Sequence, residues 1–396
     1  MLASVSSTFA EATSRADALE SNLRTINQHF GKGVSPDENA VVLVYKAFGP
    51  HPETPGRRRL LSTIQIRSGS GRQTVRQGAE GLWTRKQCPH VLKWLEVNEK
   101  PVDVMIKATH RPKWYSPMIP PVGEDGRQQG IMMTLLPASQ QIRSIARYFA
   151  ARTHLAIAEK RFEDAWTDIL NCHRLGRMQA KGPTVIDYLV GIAITSIASD
   201  LHVRFVRTAK PSVEKLLEMR DEYRELPEFP HPADQIEITE RTMVLDLYSS
   251  LEHGDYEVFE SAVNVSIDPA DRVALSLVNW NLARAHGMEA YDELRELMKI
   301  KDPLPRSKRI AAWSEKLKAN GTVSLDSIFN GFLKKGDVSG TVDTVVSDAL
   351  VNTFLPAMGA VDTARTRAFV RLQNLETYFA LELFREKNGQ YPNSAG

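Results

Sequence analysis

Apolar residues recur at three- and four-residue steps over 139–207, the most regular stretch of the chain. Ile142, Ile145, Ala146, Phe149, Ala150 and Ile157 form one stripe, and Phe162, Ala165, Trp166, Ile169, Leu170 and Cys172 form another. That is the pattern of two amphipathic helices. The break at 159–161 is short, so it predicts an antiparallel hairpin. Gly182-Pro183-Thr184 then opens a third helix, with Thr184 and Asp187 spaced as a capping box. Ile186, Leu189, Val190, Ile192, Ala193, Ile194 and Ile197 surround most of its axis, which predicts burial on several sides.

Weaker patterns flank this core. A helix is expected within 1–31, and Ser35-Pro36-Asp37-Glu38 reads as a second capping box. The β-branched run AVVLVYKAF that follows suits a strand by composition, but the cap before it and Gly49-Pro50 after it favour a helix. Residues 51–82 are rich in Pro, Gly, Ser and Arg and read as an exposed insertion, in which LLSTIQI can pair as a short strand. Helical spacing returns over 89–110, with Pro101 placed to kink or restart the helix, and RPKWYSPMIPP then breaks it. Further helices are expected over 212–225 and 233–253, in two or three pieces over 269–318, and over 361–387. The apolar run VVSDALVNTFLPAMGAV has no clear form. The predicted fold class is all-α: an irregular array or bundle of helical hairpins with Pro/Gly-rich insertions. It divides into an N-terminal region 1–138, a central core 139–300 and a C-terminal region 301–396.

Charge narrows the choice of partners. Lys and Arg number 50 against 48 Asp and Glu over 396 residues, a net charge of +2, so no global field recruits nucleic acid or an anionic membrane. Arg57-Arg58-Arg59 and RSGSGRQTVRQG lack the interleaved aromatics of a single-strand binder. Cys88 and Cys172 belong to no CxxC or Cys/His cluster. Glu11, Arg15, Asp17 and Glu20 leave no apolar core for a signal peptide, and the charge-free stretch 188–198 is shorter than a membrane span. As written, the chain is expected to be cytoplasmic and without a span, with envelope association if its natural start lies upstream. Oligomeric state is not legible.

No GxxxxGK, GxGxxG, GxSxG or HExxH motif occurs, and no cofactor is indicated. The remaining candidates for chemistry are Glu237, Glu240 and Arg241, with Asp246, on the 233–253 helix. Two carboxylates three residues apart can share a face for acid–base or metal work. Glu237 and Arg241 are equally spaced for a solvated ion pair. His154 and His173 can meet across the central hairpin near Asp168, the weak candidate for a metal site. Trp114 and Tyr115, in the proline-rich break, and Trp166 are the candidate aromatic binding residues.

HLAIAEKRFEDAWTDILNCHRLG (154–176) resembles a tetratricopeptide hairpin, with Phe162, Ala165 and Ile169 near that family's turn aromatic, small and apolar positions. No second copy follows at the 34-residue period. LQNLETYFALELFREKNGQYP (372–392) resembles the helix end of type II secretion pseudopilins, carried by Leu381, Phe384, Asn388, Gly389, Tyr391 and Pro392. There Asn388 or Gly389 is expected to turn left-handed, with Tyr391 packing back. Together with ENAVVLVYKAFGP and WLEVNEKPVDVMIKATHRPKWYSP, these segments resemble a family of helical proteins of planctomycete-type bacteria without assigned activity. The family resemblance implies a fold and not a reaction. The helical pattern leads to the expectation of a non-enzymatic scaffold or interaction module, in which the groove of the 139–207 helices, with Trp114 and Tyr115, accepts a peptide or partner helix. The pseudopilin-like ending alone implies a link to a bacterial envelope or secretion system. The rival expectation is a helical enzyme with a carboxylate/His site.

Overall fold

A computed structural model describes residues 14–48, 75–124, 126–134, 137–263, 266–320 and 342–392. Most described residues are helical, with no β-strand among them; the pairs Asn39 with Lys113 and Val122 with Gln128 are isolated bridges. In chain order the helices are α1 (Arg15–Gly31), α2 (Ala40–Phe48), α3 (Val75–Glu80), α4 (Pro89–Thr109), α5 (Pro137–Ala158), α6 (Phe162–Gln179), α7 (Val185–Ala209) and α8 (Val213–Arg224). There follow a π-helical turn (Gln235–Glu240), α9 (Arg241–Glu252), α10 (Tyr256–Val263), α11 (Pro269–Leu275), α12 (Trp280–Met298), α13 (Pro303–Asn320), α14 (Val342–Phe354) and α15 (Pro356–Asn388). The LLSTIQI strand and the arginine-rich part of the expected insertion lie outside the described residues, but 75–80 is helix.

Contacts group the chain into two units. Unit 1 takes Met1–Lys32, Pro117–Leu135 and Ala233–Thr363; unit 2 takes Gly33–Ser116, Leu136–Pro232 and Ala364–Gly396. The units are interleaved along the sequence, where the spacing of helices had suggested three consecutive regions. The boundary at 363/364 falls inside the continuous helix α15, so no local break marks it, and only long-range packing distinguishes the two divisions.

Unit 2 is built on the α5–α6–α7 stack. Lys160 turns the chain with a left-handed φ of 58°, which lets Arg161 N reach Ala156 O and reverses α5 into α6. Thr184 and Asp187 form the capping box of α7 reciprocally, and the network extends beyond it. The Asp187 carboxylate accepts from Ser139 Oγ at 2.5 Å, Gln179 Nε2 at 2.8 Å and Thr184 Oγ1 at 2.8 Å, all buried. Gly176 and Gly191 let α6 and α7 touch backbone to backbone, since a Cβ on Gly191 would lie 2.6 Å from Gly176 O. On the other side of the stack, α2 and α4, with Trp94, pack over Tyr148 and Phe149 of α5 in a continuous apolar cluster. The second capping box is only half realised: Ser35 Oγ meets Glu38 Oε2, but 36–38 form a turn and Asn39 Oδ1 caps α2 through Val41 N.

Unit 1 centres on α9. Its Asp246 is fully buried and accepts from Ile131 N at 2.9 Å, while Arg15 Nη1 of α1 pairs with the other oxygen at 2.7 Å. Tyr248 shares a 2.8 Å hydrogen bond with Ser347 of α14 over Gly287 of α12. A second buried pair, Arg306 to Asp362, ties α13 to the start of α15.

Two described helical runs, α7 and 343–388, are long and apolar enough to cross a membrane by length and composition alone. About half of each tested window is buried inside the protein (56% and 50%), as in core helices of a globular fold.

Candidate functional site

On α15, Thr366, Arg367, Val370, Arg371, Asn374 and Tyr378 recur at three- and four-residue steps and so share one face. Opposite them, Ser199, Asp200 and Val203 do the same on α7. Between the two faces runs an open groove of about 600 Å³, closed at its base by Leu375. Arg371 clamps the walls, donating to Asp200 Oδ1 at 2.7 Å and to Ser196 O. Arg367 makes no ion pair or hydrogen bond with any described residue, so among these residues its positive charge on the groove is unpaired. Val370 adds an apolar surface 45% exposed.

Beneath the groove lies an aromatic core that the sequence did not single out. His202 is fully buried, its ring 4.7 Å from Phe379, 5.0 Å from Trp166 and 5.6 Å from Tyr223, centroid to centroid. His173 stands 6.1 Å from His202 and 5.2 Å from Tyr223. Arg177 Nη1 can only donate, so at 3.4 Å from His173 Nδ1 it fixes that nitrogen as the acceptor and puts the proton on Nε2. Neither that Nε2 nor either nitrogen of His202 has a hydrogen-bond partner among the described residues. The edge-on rings around them are the acceptors at hand. Burial pushes the His202 pKa down to about 3, and burial, then Arg177 and His202, push His173 well down too, so both imidazoles are neutral. The signal was in the sequence: His202 falls beside the apolar stripe Ile194, Ala198, Leu201, Phe205, on a buried face that also holds Thr195 and Ser199.

The residues singled out for chemistry do not converge. Glu237 accepts from Arg241 at 3.2 Å and Arg295 at 3.3 Å, and both arginines also hold Asp292. The Glu237–Arg241 pair is the ion pair that the four-residue spacing allowed, here half-buried and extended by two residues of α12. Glu240, at the end of the π-helical turn, faces Tyr291 and raises its pKa further beyond the effect of burial. Asp246 is turned away into its contact with Arg15.

The expected meeting of His154 with His173 does not occur either. His154 donates from Nδ1 to Gly78 O at 3.0 Å, pinning α3 onto α5, and burial lowers its pKa to about 4. Asp168 is taken by the Arg152 guanidinium in a two-bond pair, so it orients neither histidine. No group of three or more His, Cys, Asp or Glu side chains stands close enough to hold a metal among the described residues.

The aromatic residues expected at a binding surface are mostly interior. Trp114 is 5% exposed and belongs to the α2–α4 core. Tyr115 is half-buried, and its backbone pairs in both directions with the Asn39 side chain. Trp166 is 2% exposed and donates to Glu222 Oε2. The groove expected along 139–207 is thus filled by the chain's own α8 and α15. The apolar positions were read correctly, but a distant segment of the same chain uses them. At the far end of α15, Gly389 takes the left-handed conformation (φ 75°) and Tyr391 Oη packs back to donate to Glu382 Oε1 at 2.7 Å.

The family models, curated proteins and solved structures with which the chain was compared gave no match.

Proposed function

We infer that this protein is a non-enzymatic helical scaffold, and that the α7–α15 groove is where it holds a peptide segment of a partner protein. What carries the reading is the groove: open to solvent, apolar along Val203, Val370 and Leu375, and flanked by an Arg367 with no carboxylate partner among the described residues. A segment with apolar residues and one or two acidic side chains complements that surface. Of the residues considered for chemistry, Glu237 and Asp246 are engaged in ion pairs and His173 and His202 are buried among rings, which favours interaction over acid–base chemistry. The pseudopilin-like helix end supports an envelope-associated partner, by resemblance alone.

The test is affinity capture from the native cell with the full chain, run beside Arg367→Glu and Val370→Asp. Both positions are exposed, so both variants should melt like the parent. The reading requires a partner that the parent retains and both variants lose, with the purified pair weakened about tenfold or more by Arg367→Glu. A partner that binds all three equally would place the interaction elsewhere and overturn the assignment to this groove.

A further inference from the structure

We propose that protonation of the His173–His202 pair releases residues 364–388 of α15 from unit 2, a local opening that dismantles the α7–α15 groove. The opening is independent of whether the groove has a partner. The cage around His202 has four walls. Its own α7 and the neighbouring α6 are locked by the Gly176–Gly191 backbone contact. Helix α8 contributes Tyr223 and follows α7 after a short connection. The fourth wall, α15, contributes Phe379 and Leu375, and beyond them it is tied to α7 and α8 by the surface ion pairs Arg371 to Asp200 and Arg224 to Glu376 and by the hydrogen bond from Arg371 to Ser196 O. Exposed pairs of this kind hold weakly, so α15 is the wall that yields.

A charge on either imidazole has nothing to receive it. From α6 the neighbouring ionisable groups are His173 and Arg177, and Arg177 repels an imidazolium. From α8 they are Tyr223 and Glu222, the latter engaged by Trp166 Nε1. From α15 come Glu376, held by Arg224, Glu382, held by Arg385 and Tyr391, and Tyr378. On α7, Asp200 is taken by Arg371. The sense of the pH dependence follows. The docked state keeps both rings neutral, while an opened state lets them titrate near their ordinary value of 6.5. Docking is therefore complete above that value and weakens as pH falls below it.

Segment-resolved hydrogen exchange on the full chain, corrected for the intrinsic effect of pH on exchange, tests this between about pH 7.5 and about pH 4.5. Amides of 371–383 should lose protection below about pH 6.5, by up to about a hundredfold per pH unit because both rings take up a proton on opening, while those of 142–157 and 163–178 keep theirs. His202→Phe, which fills the cage with an apolar ring, leaves one titrating imidazole and should reduce that dependence to about tenfold per pH unit. Simultaneous loss of protection in all three segments, or a pH dependence unchanged in His202→Phe, would overturn the proposal. Should that variant not fold, His173→Phe serves in its place, and the comparison of segments in the parent decides alone. The Arg367→Glu capture experiment is done at neutral pH, so the groove and the release fail separately.

Discussion

Replacing Asp187 with alanine should lower the unfolding free energy by about 4 kcal/mol. The Asp187 carboxylate is the common acceptor for Ser139, Gln179 and the Thr184 hydroxyl, and it also receives the Thr184 backbone N–H. These donors come from the start of α5, the end of α6 and the cap of α7, so one side chain joins three helices. Burial raises its pKa while the four donors oppose that rise, and the donors have no water to turn to once the acceptor is gone. Each buried donor left unpaired costs about 1–3 kcal/mol, and the capping interaction of α7 is lost as well. Asparagine keeps one accepting oxygen but presents an amide N–H₂ to a site full of donors, so its loss should be intermediate. Urea unfolding followed by helical circular dichroism measures both. A loss under about 1 kcal/mol for Asp187→Ala would mean that the network does not hold the helix ends together.

The second large effect is expected at Gly191. A Cβ added there would sit 2.6 Å from Gly176 O, 2.6 Å from the Ala180 Cβ and 2.7 Å from Ala180 N. Two of those atoms are backbone, one in α6 and one in the residue that caps its end, and neither can rotate aside as a side-chain end does. The helices must separate, and with them the packing of Trp166, His202 and Phe205 above the contact. Gly191→Val should therefore destabilise by about 3 kcal/mol or more and lower the melting temperature of the protein. Gly81→Ala is the matched control, because a Cβ there meets nothing within 4 Å and the backbone is not left-handed. Its effect should stay within about 0.5 kcal/mol. Equal stability of the parent and Gly191→Val would contradict the backbone contact between α6 and α7.

What the sequence made legible is what short-range chemistry decides. The α5–α6 hairpin, the Thr184–Asp187 capping box, the helix rather than strand at 40–48 and the left-handed glycine before Tyr391 each depend on residues within a few positions of one another. Even locally a competitor can win, as Asn39 did over Ser35, because its side chain also ties down the backbone of Tyr115. The groove and the aromatic cage are a different matter. Their walls lie on α7 and α15, and no periodicity says which apolar faces meet across such a distance. Trp166 looked like a docking residue because its stripe needed a cover, and that need was real. The cover is Phe379, which ranks in the sequence as one more apolar step in an amphipathic helix. The acidic candidates failed for a related reason: Glu237 and Glu240 invite a reading as a pair until α12 brings Asp292 and Arg295 alongside.

The late position of α15 in the chain also governs how unit 2 can be assembled. Arg224 and Glu376 are 152 residues apart, and Asp200 and Arg371 are 171 apart. On the ribosome the rings of Trp166, Phe205 and Tyr223 emerge long before the helix that covers them. At about 5–20 residues per second, that interval is roughly ten to thirty seconds. Throughout it a half-built unit 2 presents an uncovered aromatic face, while most of unit 1 is still being made. The nascent chain needs either a holding chaperone or a collapsed intermediate in which α8 temporarily screens that face. Final closure of unit 2 must then wait for a segment that follows most of unit 1.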